Sequence, residues 1–75
     1  MNAEQRKVIA ELIDQLSVIM DKIEMIKDDE ESKYDNLPES IQNSEKGDKF
    51  QENIDTLDEA YNNVYYAIDS LNEVE

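Results

Sequence analysis

The sequence predicts an all-α protein, namely an antiparallel, coiled-coil-like hairpin of two helices that dimerises into a four-helix bundle. Apolar residues recur at alternating intervals of three and four in both halves of the chain, which is the pattern of a helical seam. The only proline and the only glycine, Pro38 and Gly47, lie between the two seams. Two helices alone bury too little apolar surface for a stable domain, so we expect association with a second copy.

The first helix is predicted at about residues 3–35. Asn2 can cap its first turn, and Gln5 stands at the third helical position, where it can complete a capping box. No glycine or proline occurs before Pro38. The predicted seam of this helix consists of Ile9, Leu12, Leu16, Ile19, Ile23 and Ile26.

A loop or short turn is predicted at residues 36–43, and a second helix at about 44–73 with Ser44 as its N-cap. Gly47 in the first turn costs about 1 kcal/mol relative to alanine, so either the helix starts later or another segment approaches this backbone closely. Close packing of the loop is the favoured explanation. The predicted seam of the second helix consists of Phe50, Ile54, Leu57, Tyr61, Val64, Ile68 and Leu71.

Antiparallel pairing of the seams places Ile26 level with Phe50 and Ile9 level with Ile68. It leaves further apolar residues beside the seams, which suits either a four-helix bundle or a groove for a partner helix. The homodimer is preferred over a monomer that binds only a foreign partner. The predicted partner or oligomer interface consists of Ile13, Met20, Tyr61, Tyr65 and Tyr66.

The chain carries 20 acidic and 7 basic residues, a net charge of −13. This charge disfavours direct binding to nucleic acid or to anionic membranes and favours encounter with a protein that has a basic surface. A solvated acidic surface without a binding role is the alternative explanation. The predicted contact surface is the run of Asp28, Asp29, Glu30 and Glu31, which lacks the spacing of a calcium loop.

Catalysis is not expected, and neither is a cofactor or a bound metal. The 75 residues form one predicted domain without cysteine, histidine or tryptophan, and a thin hairpin offers no cleft that could desolvate two carboxylates. The first residues contain no apolar segment of a signal peptide, and no apolar run approaches membrane-spanning length. We therefore expect a cytoplasmic protein.

The loop sequence is the most specific motif in the chain. Its string from Tyr34 to Ser40, followed by Gln42, Ser44, Glu45 and Gly47, resembles short proteins of phages and prophages of Gram-positive bacteria. The resemblance covers roughly residues 24–73 and implies a viral accessory protein that acts in the cytoplasm of the host bacterium. It brings no established activity or catalytic residue. The loop motif, including Asn36 and Pro38, can be either structural or a contact site.

Three functions fit these observations. The first is an acidic interaction protein that binds and inhibits or modulates a host protein involved in defence or in handling nucleic acid. The second is an oligomeric sponge for a nucleotide immune signal, in which Arg6, Lys7, Lys46 or Lys49 converges with a tyrosine. The third is a structural or assembly component of a phage particle.

Overall fold

The computed structural model describes residues 1–75, which are helical apart from the turns and the two ends. Helix α1 spans Ala3–Asp35, the short helix α2 spans Glu39–Gln42, and helix α3 spans Glu45–Asn72. The all-α fold class is therefore confirmed. α3 lies alongside α1, and α2 packs against α3. The molecule is a rod of 59 × 15 × 11 Å, so one pair of long helices makes up its whole thickness.

The start of α1 is held by the predicted capping box. The Asn2 side-chain oxygen accepts a hydrogen bond from the backbone N–H of Gln5 at 2.8 Å, and the Gln5 side chain accepts one from the backbone N–H of Asn2 at 3.2 Å. Two of the backbone donors that a helix start leaves unpaired thus find partners within the chain. The capping prediction is confirmed.

The contact between α1 and α3 is continuous but thin. On α3, the predicted seam residues are all half-buried or buried, and Ile54, at 8% exposure, has the only buried side chain in the molecule. On α1, the half-buried positions also recur every three or four residues, and they define the side that faces α3. These positions are Ile9, Ile13, Leu16, Met20, Ile23, Lys27, Glu30 and Tyr34; Glu31, next to Glu30, is also half-buried but lies outside this spacing.

The predicted seam of α1 is wrong at three positions. Leu12, Ile19 and Ile26 are 41%, 44% and 53% exposed, respectively. The reason lies at the end of the helix, where Tyr34 is half-buried. Residues seven positions apart lie on nearly the same side of a helix. Because Tyr34 faces α3, the residues at this spacing before it, Lys27, Met20 and Ile13, also face α3.

The predicted pairing of the helices is also wrong, by about seven residues. Ile26 shares a groove with Leu57 instead of lying level with Phe50. The last two turns of α1 stay alongside α3, and the Lys27 ammonium lies 3.0 Å from the Asp58 carboxylate. Two of the positions that face α3 in this part of α1, Lys27 and Glu30, are charged. A seam predicted from apolar residues alone therefore stops before the end of α1 and is paired with the wrong turn of α3.

Candidate interaction surfaces

The connection between the long helices is fixed by hydrogen bonds to the backbone. The Gln42 side-chain amide donates to the Tyr34 carbonyl at 2.9 Å in a partly buried position. This carbonyl lies in the last turn of α1, where the helix itself offers no donor, and it also accepts from the backbone N–H of Leu37 at 3.0 Å. The backbone N–H groups of Ile41 and Gln42 both donate to the Pro38 carbonyl, which closes α2 as one compact turn.

Gly47 lies in the first turn of α3 and is buried. A methyl group on its α-carbon would overlap the backbone carbonyl of Gln42. Its φ is negative, so conformational freedom is not what the position requires. Glycine is needed here because α2 approaches the backbone of α3 directly, which confirms the explanation by close packing.

The remaining motif residues also shape the turn. Asn36 is the C-cap of α1, and its backbone N–H donates to the Ser32 carbonyl. Pro38 precedes the first residue of α2. Ser44 takes the N-cap position of α3, but its hydroxyl donates back to the Ile41 carbonyl instead of capping the helix. Backbone and side-chain groups of the motif thus serve the fold at each of these positions.

The acidic run at residues 28–31 does not form one surface. Successive residues of a helix are 100° apart, so four in a row wind around α1. The Glu30 side chain is only 19% exposed and lies 3.6 Å from the Lys33 ammonium, and Glu31 lies 3.9 Å from Lys27. Asp28 and Asp29 are exposed, but they point to different sides of the helix.

A more regular acidic surface lies along α1. Asp14, Asp21, Asp28 and Asp35 follow one another at intervals of seven residues, and all four are exposed. Residues at this spacing lie on nearly the same side of a helix, and neighbouring carboxylates are about 10.5 Å apart along its axis. We call these four residues the aspartate row. Its signal was present in the sequence, but it is visible only when identical residues are compared at heptad distance.

The tyrosines lie apart from the predicted cations. Tyr61 is half-buried and lines a groove with Lys27 and Asp58, whereas Arg6 lies in a separate groove at the free end of the rod, with Leu71. Tyr65 and Tyr66 are 54% and 63% exposed, with their rings edge to face at 5.9 Å.

Lys7 is exposed and lines none of the grooves of the molecule. The structure therefore does not bring Arg6 and Lys7 together with the tyrosines.

Three lysines converge at the other end of the rod, beside the connection. Lys33, Lys46 and Lys49 line an open groove of about 440 Å³ together with Phe50. Two carboxylates, Glu30 and Glu45, and the Asn53 amide complete the lining. Sequence analysis selected Lys46 and Lys49 but missed Lys33, which lies in the last turn of α1, beside the first turns of α3.

The Lys27–Asp58 pair joins the two long helices near the middle of the rod. Its hydrogen bond to Asp58 raises the pKa of the Lys27 ammonium above its ordinary value, and partial desolvation opposes this shift. The Lys27 side chain is 26% exposed, so the pair lies within the contact between the helices. No apolar pattern marks either residue, which is why sequence analysis did not find them.

Comparison with known proteins gives no match among protein families, curated proteins or solved structures. None of the helices is both long enough and apolar enough to cross a membrane. No group of three or more carboxylates is placed to hold a metal ion. The surfaces described above are therefore the basis for assigning a function.

Proposed function

We propose that this chain is a small acidic, phage-type accessory protein that works by binding another protein in the bacterial cytoplasm. It acts as an antiparallel helical hairpin that pairs with a second copy into a four-helix bundle. Its target is a host protein with a basic surface, involved in defence or in handling nucleic acid, which it inhibits or modulates. The enzymatic class is not proposed, because the grooves are open and shallow and the carboxylates have no enclosed cleft.

The observation that carries this proposal is the aspartate row. Four exposed carboxylates at a regular spacing of about 10.5 Å form a line about 31 Å long on one side of α1. A basic protein surface can satisfy several of these charges at once, and complementary fields speed its encounter with a chain of net charge −13. Held on one rigid helix, the charges need no ordering when a partner binds.

The test is capture of proteins from a lysate of a Gram-positive bacterium, followed by mass spectrometry and by titration of each purified candidate. We expect a basic partner whose affinity falls as salt is raised, because the Debye length shortens from about 10 Å at 0.1 M to about 3 Å at 1 M. The test variant changes the aspartate row to asparagine at all four positions, and it should lose the partner.

A matched variant provides the control. Changing Asp29, Asp48, Asp55 and Asp69 to asparagine alters the net charge by the same amount but leaves the aspartate row intact. It should keep most of the affinity. Equal loss in both variants would mean that net charge alone drives binding, and a partner insensitive to salt and to both variants would contradict the electrostatic proposal.

Sequestration of a nucleotide signal is a second candidate, and the lysine groove beside the connection favours it. Lys33, Lys46 and Lys49 can contact phosphates while Phe50 stacks on a base. Calorimetry with a panel of cyclic nucleotides tests this function. Heat that disappears in the variant with Lys46→Gln and Lys49→Gln would support it, and absence of heat across the panel would contradict it.

A further inference from the structure

The rod has one broad side on which exposed apolar residues lie next to short, uncharged ones. Glu30 is the acidic residue that lines the groove on this side; its side chain is 19% exposed and lies 3.6 Å from the Lys33 ammonium. On α1 this side carries Leu12, Ile19 and Ile26, which are 41–53% exposed and which we call the apolar ridge. On α3 it carries only short, uncharged side chains, because helical spacing brings the following residues to the side next to the ridge. We call them the small-residue trough: Asn53, Thr56, Ala60, Asn63, Ala67 and Ser70.

The ridge and the trough belong to the same face of the molecule. Ile26 lines one groove together with Asn53, Thr56 and Leu57, so these residues meet on one side of the helix pair. Ile19 and Leu12 follow at intervals of seven residues on α1, and the trough repeats at the same interval along α3. The pattern therefore extends over about 25 Å of the rod, which is 59 Å long.

The large exposed surface area of the chain indicates that another molecule covers this face. The exposed area is 5748 Å², whereas a monomeric protein of 8.7 kDa has about 4,700 Å². The excess of about 1,000 Å² is close to the area of about 800 Å² that each partner buries in a standard protein interface. One face of the rod is enough to supply it.

The distribution of charge on the chain indicates which molecule covers this face. Two chains of net charge −13 repel each other wherever their carboxylates meet. The ridge and the trough contain no acidic residue, and the charge of Glu30, which borders them, is offset by Lys33. We infer that a second copy of this chain covers this face, with the apolar ridge of each copy in the small-residue trough of the other. The inference rests on the proposed dimer and names its contact surface.

The two-fold axis of this dimer runs parallel to the helices, so both connections lie at the same end. Since Ile26 lies beside Leu57, Ile19 lies one heptad further along, level with Val64. The axis then places Ile19 of one copy over a hole formed by Ala60, Asn63, Val64 and Ala67 of the other. A perpendicular axis would set ridge against ridge and leave both troughs empty.

The mass of the protein in solution, measured by light scattering over a range of concentrations, tests the surface. The wild-type chain should have twice the mass of 8.7 kDa. The variant with Leu12→Gln, Ile19→Gln and Ile26→Gln should be monomeric, since glutamine maintains helix propensity but removes the apolar ridge. The control changes Val18, Met25 and Tyr66, which are 52–66% exposed on other sides of the rod, to glutamine, and it should remain dimeric.

A dimeric ridge variant would overturn the inferred surface and leave the proposed dimer intact, whereas a monomeric wild type would overturn both. The aspartate row is tested separately by its partner, so the two proposals can fail independently.

A second measurement does not depend on how the ridge variant folds. The chain has no cysteine, so Glu75→Cys can carry a single spin label at the C-terminus. The inferred dimer predicts a short distance between the two labels, comparable to the 11–15 Å thickness of the rod. A distance approaching its 59 Å length would overturn the arrangement.

Discussion

The connection at residues 34–47 and the helix pair on either side of it are held in different ways. In the connection, side chains and backbone groups are specifically paired: Gln42 binds the Tyr34 carbonyl, and α2 rests directly on Gly47. Along the helix pair, Ile54 is the only buried side chain in a rod 59 Å long. A short turn with defined contacts thus sets the pairing of two helices whose own contact is generic, and it leaves most of their surface for other partners.

Gly47→Ala should have the largest effect, because it attacks the contact on which the connection depends. In an ordinary helix, this change is stabilising, but here the new methyl group overlaps backbone that cannot rotate away. We expect a loss of about 3 kcal/mol in the free energy of unfolding, measured by urea titration with circular dichroism. Gln51→Ala, at an exposed site one turn further on, should change it by less than about 0.5 kcal/mol. An equal loss of stability in Gly47→Ala and Gln51→Ala would show that the contact at Gly47 is not special.

Ile54→Ala comes next and tests the helix pair in the same assay. We expect a loss of about 2 kcal/mol, at the low end for such truncations, because neighbours in a rod this thin can relax into the space. Val18→Ala, which truncates a side chain that is 52% exposed, is the control and should be close to neutral. If Ile54→Ala proved more damaging than Gly47→Ala, the helix pair would be the better-defined region.

Gln42→Met separates shape from hydrogen bonding in the connection. Methionine keeps the length of the side chain but cannot donate to the Tyr34 carbonyl, so we expect a loss of about 1 kcal/mol. Gln51→Met makes the same chemical change where no such bond exists and should be neutral. Unchanged stability of Gln42→Met would show that packing alone fixes the turn.

The pH dependence of the Lys27–Asp58 pair should be the smallest effect. Because the pKa of Lys27 is raised in the folded protein, the pair contributes its full stability below the unfolded pKa of about 10.4 and loses it as pH rises through the folded value. Urea midpoints of the wild type and of Lys27→Met should therefore differ by a constant amount from pH 6 to about pH 9 and converge as the pH rises through the folded pKa of Lys27. A difference that grew with pH would contradict the assigned pair.

The sequence predicts the helical class, the capping box and the role of Gly47, because each depends on local pattern. It does not predict which side of α1 faces α3. Two sets of positions on α1 fit a seam equally well, and both contain Ile9, Leu16 and Ile23. One set adds Leu12, Ile19 and Ile26, and the other adds Ile13, Met20 and the residues at the same spacing after them. Long-range contacts decide between the two, through the half-buried Tyr34 and the Lys27–Asp58 pair. The same rotation turns Leu12, Ile19 and Ile26 outward.

The rod shape affects how the molecule moves in solution. Its radius of gyration is 17.3 Å, whereas a compact chain of 75 residues has about 11 Å, and a compact chain of about 230 residues would have the same value. Friction in water depends on the length of a rod as well as on its mass, so a single copy should diffuse more slowly and elute earlier than a compact protein of the same mass. Side-by-side pairing doubles the mass but scarcely alters the length. Gel filtration will therefore report the length of this molecule better than its number of copies.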